Sequence, residues 1–596
     1  MIKRLTRLRW RRRIRKGRRQ VEDISVQAEE QMERHFFKRL TRLFNVRRFV
    51  IGWITLIVLL GLAVTMQLRS LGGYYQELQP VPGGSFTEGM IGTFTNANPL
   101  YSTGLVDSTV SRLVFSGLLK YDEQNKLVGD LAENWQADEN SKIYTVTLRP
   151  HLKWHDDKPL TADDVVFTFH AIQNPDTKSP FFRAWQGVDI KAVDAKTIVF
   201  TLPSPLAPFI YSLTTGIVPK HLLSDIEPSQ LRSLQFNTSR PIGSGPFKWD
   251  TVETTSNGPD SKLQQIGLQS FENYHHGKPK LERFIVRAYT SEKDLVDSFQ
   301  RQEISGLVGL DRPPDSIKDV ENIQENTASL TAETMVFLRT DSELLKDVRV
   351  RQALLKAIDV PALVSGLDYP AIAADEPLLH GQLGYNATLK QVPFSIEEAN
   401  KLLDESGWKR LDDKSVRMNG DKKLILKFVA QNNADYVYLT KQIQKAWLSV
   451  GVETQVILQN DADLQDTINE RDYDALLYGI SIGVDPDVFA YWHSTQADPR
   501  ASSRLNFSNY KSATADKALE AGRTRIDPSL RAAKYIPFLQ SWRGDVPAIA
   551  LYQPRFLYIT SDRLFNFQPR AINTAADRFN NVHNWMILQD YTLKTR

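Results

Sequence analysis

Residues Phe49–Leu68, FVIGWITLIVLLGLAVTMQL, contain no Asp, Glu, Lys or Arg. As a helix, about 20 residues reach about 30 Å, the thickness of a bilayer's hydrocarbon core. Lipid offers no partner to a backbone amide, so a segment crossing it alone must be helical. The competing reading is a buried core helix, but those run shorter and keep a polar edge. The stretch therefore predicts one transmembrane helix, and the rest of the chain sorts to either side of it.

The two sides differ in charge. Residues 1–48 hold 17 Lys or Arg against 5 Asp or Glu, densest over Arg9–Arg19. Past the span, Arg69 is the only Lys or Arg before Arg112. The positive-inside rule places residues 1–48 in the cytoplasm and residues 69–596 outside. An arginine run also suits nucleic acid, but this one is tethered beside a membrane and has little aromatic interleaving. Anionic headgroups account for it at about 1 kcal/mol per cation, and no nucleic-acid partner is expected. Residues 20–45 have the make-up of a short amphipathic helix on the inner leaflet. A basic segment of this length is too long for a cleaved signal peptide, and without Cys a lipidated cysteine is excluded. The span reads as the uncleaved signal-anchor of a single-pass cell-membrane protein.

More than 500 residues lie beyond the span, too many for one core, so two or three lobes are expected. The whole chain carries only +4, which makes the part outside the tail net acidic. The absence of Cys removes both a disulfide framework and thiolate metal sites. Residues 69–83, with Gly72-Gly73, Pro80 and Pro82, read as a linker. Beyond it, strand-like runs (Thr197–Leu202, Lys280–Ala288, Leu424–Ala430, Val452–Leu458) alternate with helical patterns (Asp347–Ile358, Ile396–Ser406, Ala434–Val450). That alternation is the signature of α/β layers. Thr161-Ala162-Asp163-Asp164 opens another helix with a capping signal.

A series of segments in fixed order adds to this pattern: FSGLLKYD, LAENWQ, YTVTLRPHLKWHDDKPLTADDVVFTF, KTIVFTLPSPLAPFIYSLT, PIGSGPFKWD, FENYHHGKPKLERFIVRAY, LKDVRVRQALLKAID, FSIEEANKLLDESGW and DVPAIALYQPRFLYI. Together they resemble the large extracytoplasmic solute-binding proteins of peptide- and nickel-type ABC importers, over residues 84–590. The resemblance implies an α/β, two-lobed, periplasmic-binding-protein-like clamshell of the three-subdomain type, preceded here by the transmembrane helix. It places the first lobe with its extra subdomain at residues 84–335, the second lobe at 336–552 and a return to the first lobe at 553–596.

No group of residues asks to be catalytic. Gly243-Ser244-Gly245 lacks the nucleophile-elbow pattern, and GxxxxGK[ST] and HExxH are absent. The adjacent side chains of the His155-Asp156-Asp157 turn point different ways, and the resemblance makes His275-His276 the family's turn between two strands, so neither a metal nor a cofactor is expected. The ligand candidate is Tyr478–His493, where a strand ends in a Gly- and Asp-Pro-containing loop before a helix opens near Val488. Ligands of open α/β sheets bind beyond the carboxyl ends of strands, and helix N-termini add exposed amides.

In peptide-binding members of the resembled family, this loop supplies an Asp to the ligand's α-amino group. The matching position here is Ile482, or Gly483, so recognition of a free amine is in doubt. Ser481, Ile482, Asp485, Tyr491 and Trp492 are the candidates in this segment, joined by Trp185 and by Asn98 of the first cleft loop. The resemblance implies a monomeric, non-enzymatic protein that captures a peptide or other small solute and delivers it to ABC permease and ATPase subunits. A tethered receptor or sensor for a non-peptide solute is the alternative.

Overall fold

The computed structural model describes residues 47–256, 262–310, 312–317, 320–367, 371–412, 415–501, 504–568 and 571–593. The basic tail and the amphipathic helix expected over residues 20–45 lie outside them, save for Arg47 and Arg48. The chain forms two compact units, Pro80–Leu588 and a smaller one made of residues 1–79 and 589–596.

The smaller unit carries the helix Arg47–Tyr75. Its segment Arg48–Gln67 is long and apolar enough to cross a membrane, and Phe49, Ile51, Leu59 and Leu60 are all exposed along it. Thr55 and Thr65 donate their hydroxyls to the carbonyls of Ile51 and Gly61, each at 2.8 Å, so neither needs water. The expected linker over residues 69–83 is instead mostly structured. The helix continues through Gly72-Gly73, and the strand Gln76–Val81 then pairs with Leu588–Leu593. Extending an existing helix adds a hydrogen bond per residue without a new nucleus, which outweighs about 1 kcal/mol for each glycine.

In the larger unit, an eight-stranded sheet runs in the order Ala571–Ile572, Ile323–Leu330, Arg555–Ser561, Gly306–Val308, Ser85–Ile91, Arg283–Tyr289, Lys262–Ser270, Phe247–Ser256. A four-stranded sheet, Ala132–Ala137, Ile143–Leu148, Thr197–Thr201 and Asp189–Ala192, packs through one continuous core containing Phe86, Trp154, Phe169 and Trp585. The helix Ala162–Gln173 in this subdomain opens with the capping box Thr161–Asp164. A six-stranded sheet, ordered Ile372–Ala373, Ala548–Gln553, Ala332–Leu338, Ala475–Ser481, Ile425–Gln431, Glu453–Gln459, forms the second lobe. It is buried on both faces. Val336 and Leu338 enter one core with Phe428 and Trp447, while Met335 and Phe337 enter the other with Trp492 and Trp542.

The chain passes between the two large sheets twice. Ile323–Leu330 belongs to the first and Ala332–Leu338 to the second, so the outward crossing is Thr331, a little before the expected 335/336 boundary. The return crossing is Pro554, between Ala548–Gln553 and Arg555–Ser561. The crossings are bonded side by side: Leu330 N–H donates to the Pro554 carbonyl at 3.0 Å, and Gln553 Nε2 donates to the Leu330 carbonyl at 2.8 Å.

Two acid sites lie buried in this unit. Glu88 and Arg578 are wholly buried and paired at 2.7 and 3.1 Å, with Thr109 Oγ1 accepting from the same guanidinium at 3.1 Å. This knits the C-terminal segment to a central strand and to the helix Leu105–Val114. Glu333 is fully buried with neither carboxylate oxygen hydrogen-bonded, and Glu376 Oε2 is likewise without a partner among the described residues. Burial, with the charges of Glu376 and Asp375, pushes Glu333 well above the usual carboxylate range. Burial also moves Glu376 from 4.5 to about 8, against the opposing hydrogen bond from Asn386 N–H.

Replacing Arg578 by Met leaves Glu88 buried and unpaired, and is expected to destabilise this unit by about 3–5 kcal/mol in denaturant unfolding. Between pH 4.5 and about 8, folded Glu376 keeps a proton that the unfolded chain has released, so stability falls as pH rises through that window. Glu376→Gln is expected to flatten part of this fall in a series of thermal midpoints.

Candidate functional site: the cleft between the two sheets

The direction of the strands decides where the lobes face one another. In the second lobe Ala475–Ser481 and Ile425–Gln431 run parallel, and Ala332–Leu338 runs antiparallel to both Ala475–Ser481 and Ala548–Gln553. One edge of this sheet therefore collects the carboxyl ends at Gln431, Ser481 and Gln553 and the amino end beside Thr331. In the first lobe Gly306–Val308 is parallel to Ser85–Ile91 and antiparallel to Arg555–Ser561, so Val308 and Arg555 share an edge. The crossings join these two edges, and the cleft opens directly above them.

A cavity of about 360 Å³ fills the space. Its first-lobe wall includes Leu105, Val308, Gly309 and Leu557, and its second-lobe wall Thr334, Asn433, Tyr436, Gly479 and Tyr552; the crossing residues Leu330, Pro554 and Arg555 also line it. The connection after Ile425–Gln431 supplies the helix Ala434–Ser449, whose N-cap Asn433 accepts from Tyr436 N–H at 2.8 Å. That helix end brings Asp435 to the cleft, where Arg312 of the first lobe donates to its Oδ1 at 3.0 Å. This pair spans the lobes. Burial pushes the Tyr436 phenol well above its ordinary value, so it stays a neutral hydrogen-bonding group at physiological pH. Gly479 keeps the wall open, because a Cβ there would stand 3.1 Å from Tyr436 Oη.

Gly479 also lines a second cavity of about 280 Å³ within the second lobe, and this is where Ser481 and Tyr491 meet. Tyr491 Oη donates to the Ser481 carbonyl at 2.7 Å, and burial raises this phenol to about 12. The other residues singled out from sequence are occupied elsewhere. Ile482 is buried in the second-lobe core, and its N–H and that of Gly483 both donate to the Thr331 carbonyl at 2.9 Å.

Asp485 is buried and held in a two-pronged pair with Arg531, both bonds at 2.7 Å. Asp487 pairs with Arg523 at 2.9 Å, so both aspartates of the loop already have a cationic partner. Tyr211 of the first lobe nevertheless feels Asp485: burial, then that carboxylate's charge, raises its phenol.

Trp185 and Trp492 are core residues, which corrects their reading as cleft aromatics. Trp185 stacks on Phe169 with ring centroids 3.8 Å apart, and Trp492 packs on Phe337 and edge-on to Trp542. An indole buries the most area of any side chain, and two well-packed lobes use it there. Asn98 is buried too, its amide spent on Asn237 Oδ1 at 2.9 Å and on Leu100 N–H at 3.0 Å. It staples the first cleft loop and presents no surface to a ligand. Gly243-Ser244-Gly245 is packing as well, since a Cβ on Gly243 would stand 1.9 Å from the Val114 carbonyl oxygen. Asn433, Asp435, Tyr436, Tyr552 and Arg312 were missed. For Asn433–Tyr436 a signal existed, namely a strand end followed by an Asn-capped helix, the same rule that flagged Tyr478–His493.

Comparison with known proteins agrees with this architecture. The oligopeptide-binding protein AppA of Bacillus subtilis (strain 168) is 27% identical over 490 residues, covering 80% of this chain and 87% of the relative. The dipeptide-binding protein of Escherichia coli (strain K12) is 24% identical over 485 residues, covering 76% and 86%. Among solved structures, AppA from Bacillus subtilis in complex with a nonapeptide superposes with a TM-score of 0.68 at 25% identity, over 86% of this chain and all of that one. NikZ from Campylobacter jejuni in complex with Ni(L-His) gives 0.70 at 25% identity, over 84% and 99%. Residues 126–502, more than half the chain, match the profile of the bacterial extracellular solute-binding proteins, family 5. With two lobes joined by paired crossings under a shared cavity, this chain belongs to that family.

Proposed function

We propose that the unit Pro80–Leu588 captures a peptide in the cleft between its lobes and delivers it to an ABC importer. The observation that carries this reading is the cavity walled by both lobes and lined by their crossings, in a chain of this family. A ligand there touches both lobes at once, so its binding favours the closed form over the open one. The walls present neutral phenols, an amide and backbone at strand ends, which suits hydrogen bonding to a peptide main chain more than reading one side chain. Both aspartates of the 481–487 loop already face an arginine. The peptide's amino terminus is therefore not bound by a carboxylate of that loop.

The helix Arg47–Tyr75 serves as a single-span anchor, with residues 1–48 in the cytoplasm against anionic headgroups and the binding unit outside, acting as a monomer beside its permease. Tethering raises the effective concentration of the binding unit at that partner.

Four outcomes test this. Mass spectrometry of the solute co-purifying with the full chain is expected to find peptides; a sugar or a metal chelate sinks the assignment. N-acetylation of a bound peptide is expected to change its affinity less than about threefold, because Asp485 and Asp487 of that loop already face Arg531 and Arg523. Asp435→Asn removes the ion pair between the lobes, and calorimetry is expected to show peptide bound up to about fivefold more weakly, the worth of a partly exposed pair. A secreted version, with the anchor replaced by a cleavable signal, is expected to keep its affinity and lose uptake.

A further inference from the structure

Three metal-ligating side chains meet at the edge of the first lobe opposite the cleft. Arg283 lies beside Ser85 at the amino ends of two parallel strands, so the turn leading into Arg283 is remote from Val308 at the carboxyl ends. That turn carries His275 and His276. Consecutive side chains on an extended strand point to opposite faces. Here Tyr274 N–H donates to the Phe271 carbonyl at 3.3 Å and Gly277 N–H to the Tyr274 carbonyl at 2.9 Å, with Gly277 at φ +94°. The reversal brings both imidazoles to one side, their centroids 4.6 Å apart. Asp130, 145 residues earlier in the chain and 3% exposed, points its Oδ1 at His275 Nε2 (2.7 Å) and at His276 Nε2 (3.1 Å). The three ligand atoms lie within 4.8 Å of one another, and the His583 ring stacks on His276 at 5.8 Å.

We propose that Asp130, His275 and His276 bind a divalent transition ion of the zinc and nickel class, at a site separate from the solute cleft. Two imidazoles and a carboxylate form the donor set such ions take, with a position left for water. Around a tetrahedral ion at about 2.0 Å, ligand atoms stand about 3.3 Å apart, so His275 and His276 would draw back from Asp130 by about 0.6 and about 0.2 Å while their two nitrogens, now within 4.8 Å, settle to the same spacing. Each ring gives up its hydrogen bond to Asp130, and its proton then resides on Nδ1. None of the three residues lines the cleft cavity. The ion ties the turn before Arg283 to the Asp130 turn, next to the C-terminal segment at His583. Its effect is on stability rather than on solute capture.

The test uses untagged full-length protein in detergent, stripped with a chelator and titrated with ZnCl2 by calorimetry. One equivalent is expected to bind, with a thermal midpoint that rises with zinc and is unmoved by MgCl2. Asp130→Asn keeps an acceptor for both imidazoles but removes the anion, and is expected to weaken zinc at least tenfold with an unchanged circular-dichroism spectrum. His275→Ala combined with His276→Ala is expected to abolish the one-equivalent step. Absence of saturable zinc binding to the wild-type chain overturns the proposal, as does undiminished binding by the double variant.

Discussion

Everything that distinguishes this molecule hangs on two neighbouring peptide crossings. A sheet buried on both faces can release its chain only at an edge, and the strand directions put both exits of each sheet on a single edge. Once Thr331 and Pro554 are bonded together through their neighbours, the two lobes face each other across that line. The ends of Ala475–Ser481 and Ile425–Gln431 then have no place to go but the cleft. The binding surface is thus a consequence of connectivity before it is one of side-chain chemistry.

Electrostatics inside that frame are self-contained. The loop after Ser481 carries two aspartates, yet Arg531 and Arg523 answer them one for one. A carboxylate already gripped in two hydrogen bonds by a buried guanidinium gains little from a second cation, and freeing it would strand Arg531. Glu88 and Arg578 are matched in the same way at the heart of the first lobe. Glu333 and Glu376 are the exception, a pair of buried acids kept neutral by their surroundings.

Much of the fold was legible in the sequence because periodic burial dominates it. The strand expected at Leu424–Ala430 is found at Ile425–Gln431, and the helix expected at Ala434–Val450 is found at Ala434–Ser449. The site was less legible. Asp485 and Trp492 sit in the right segment, but sequence order says nothing of Arg531, 46 residues on, or of the Phe337 ring that takes the indole into the core. His275 and His276 read only as a turn between two strands because Asp130, which orients both, is 145 residues away. Arg312 and Asp435 are likewise 123 residues apart and meet only when the lobes do. Long-range pairing is the information that local pattern cannot hold.

The two crossings are not mechanically alike. Proline fixes φ near about −65° and has no N–H to donate, so the return crossing has little torsional freedom at Pro554. Thr331 has an unlocked φ, and its carbonyl is the acceptor for both Ile482 and Gly483. Any change of angle between the sheets would therefore be taken up unequally, the return crossing as a stiff pin and the outward one as a leaf spring. Because the spring is bonded to the loop after Ser481, a bend at Thr331 would carry that loop with it. Hinge and cleft rim are thus built as one lever.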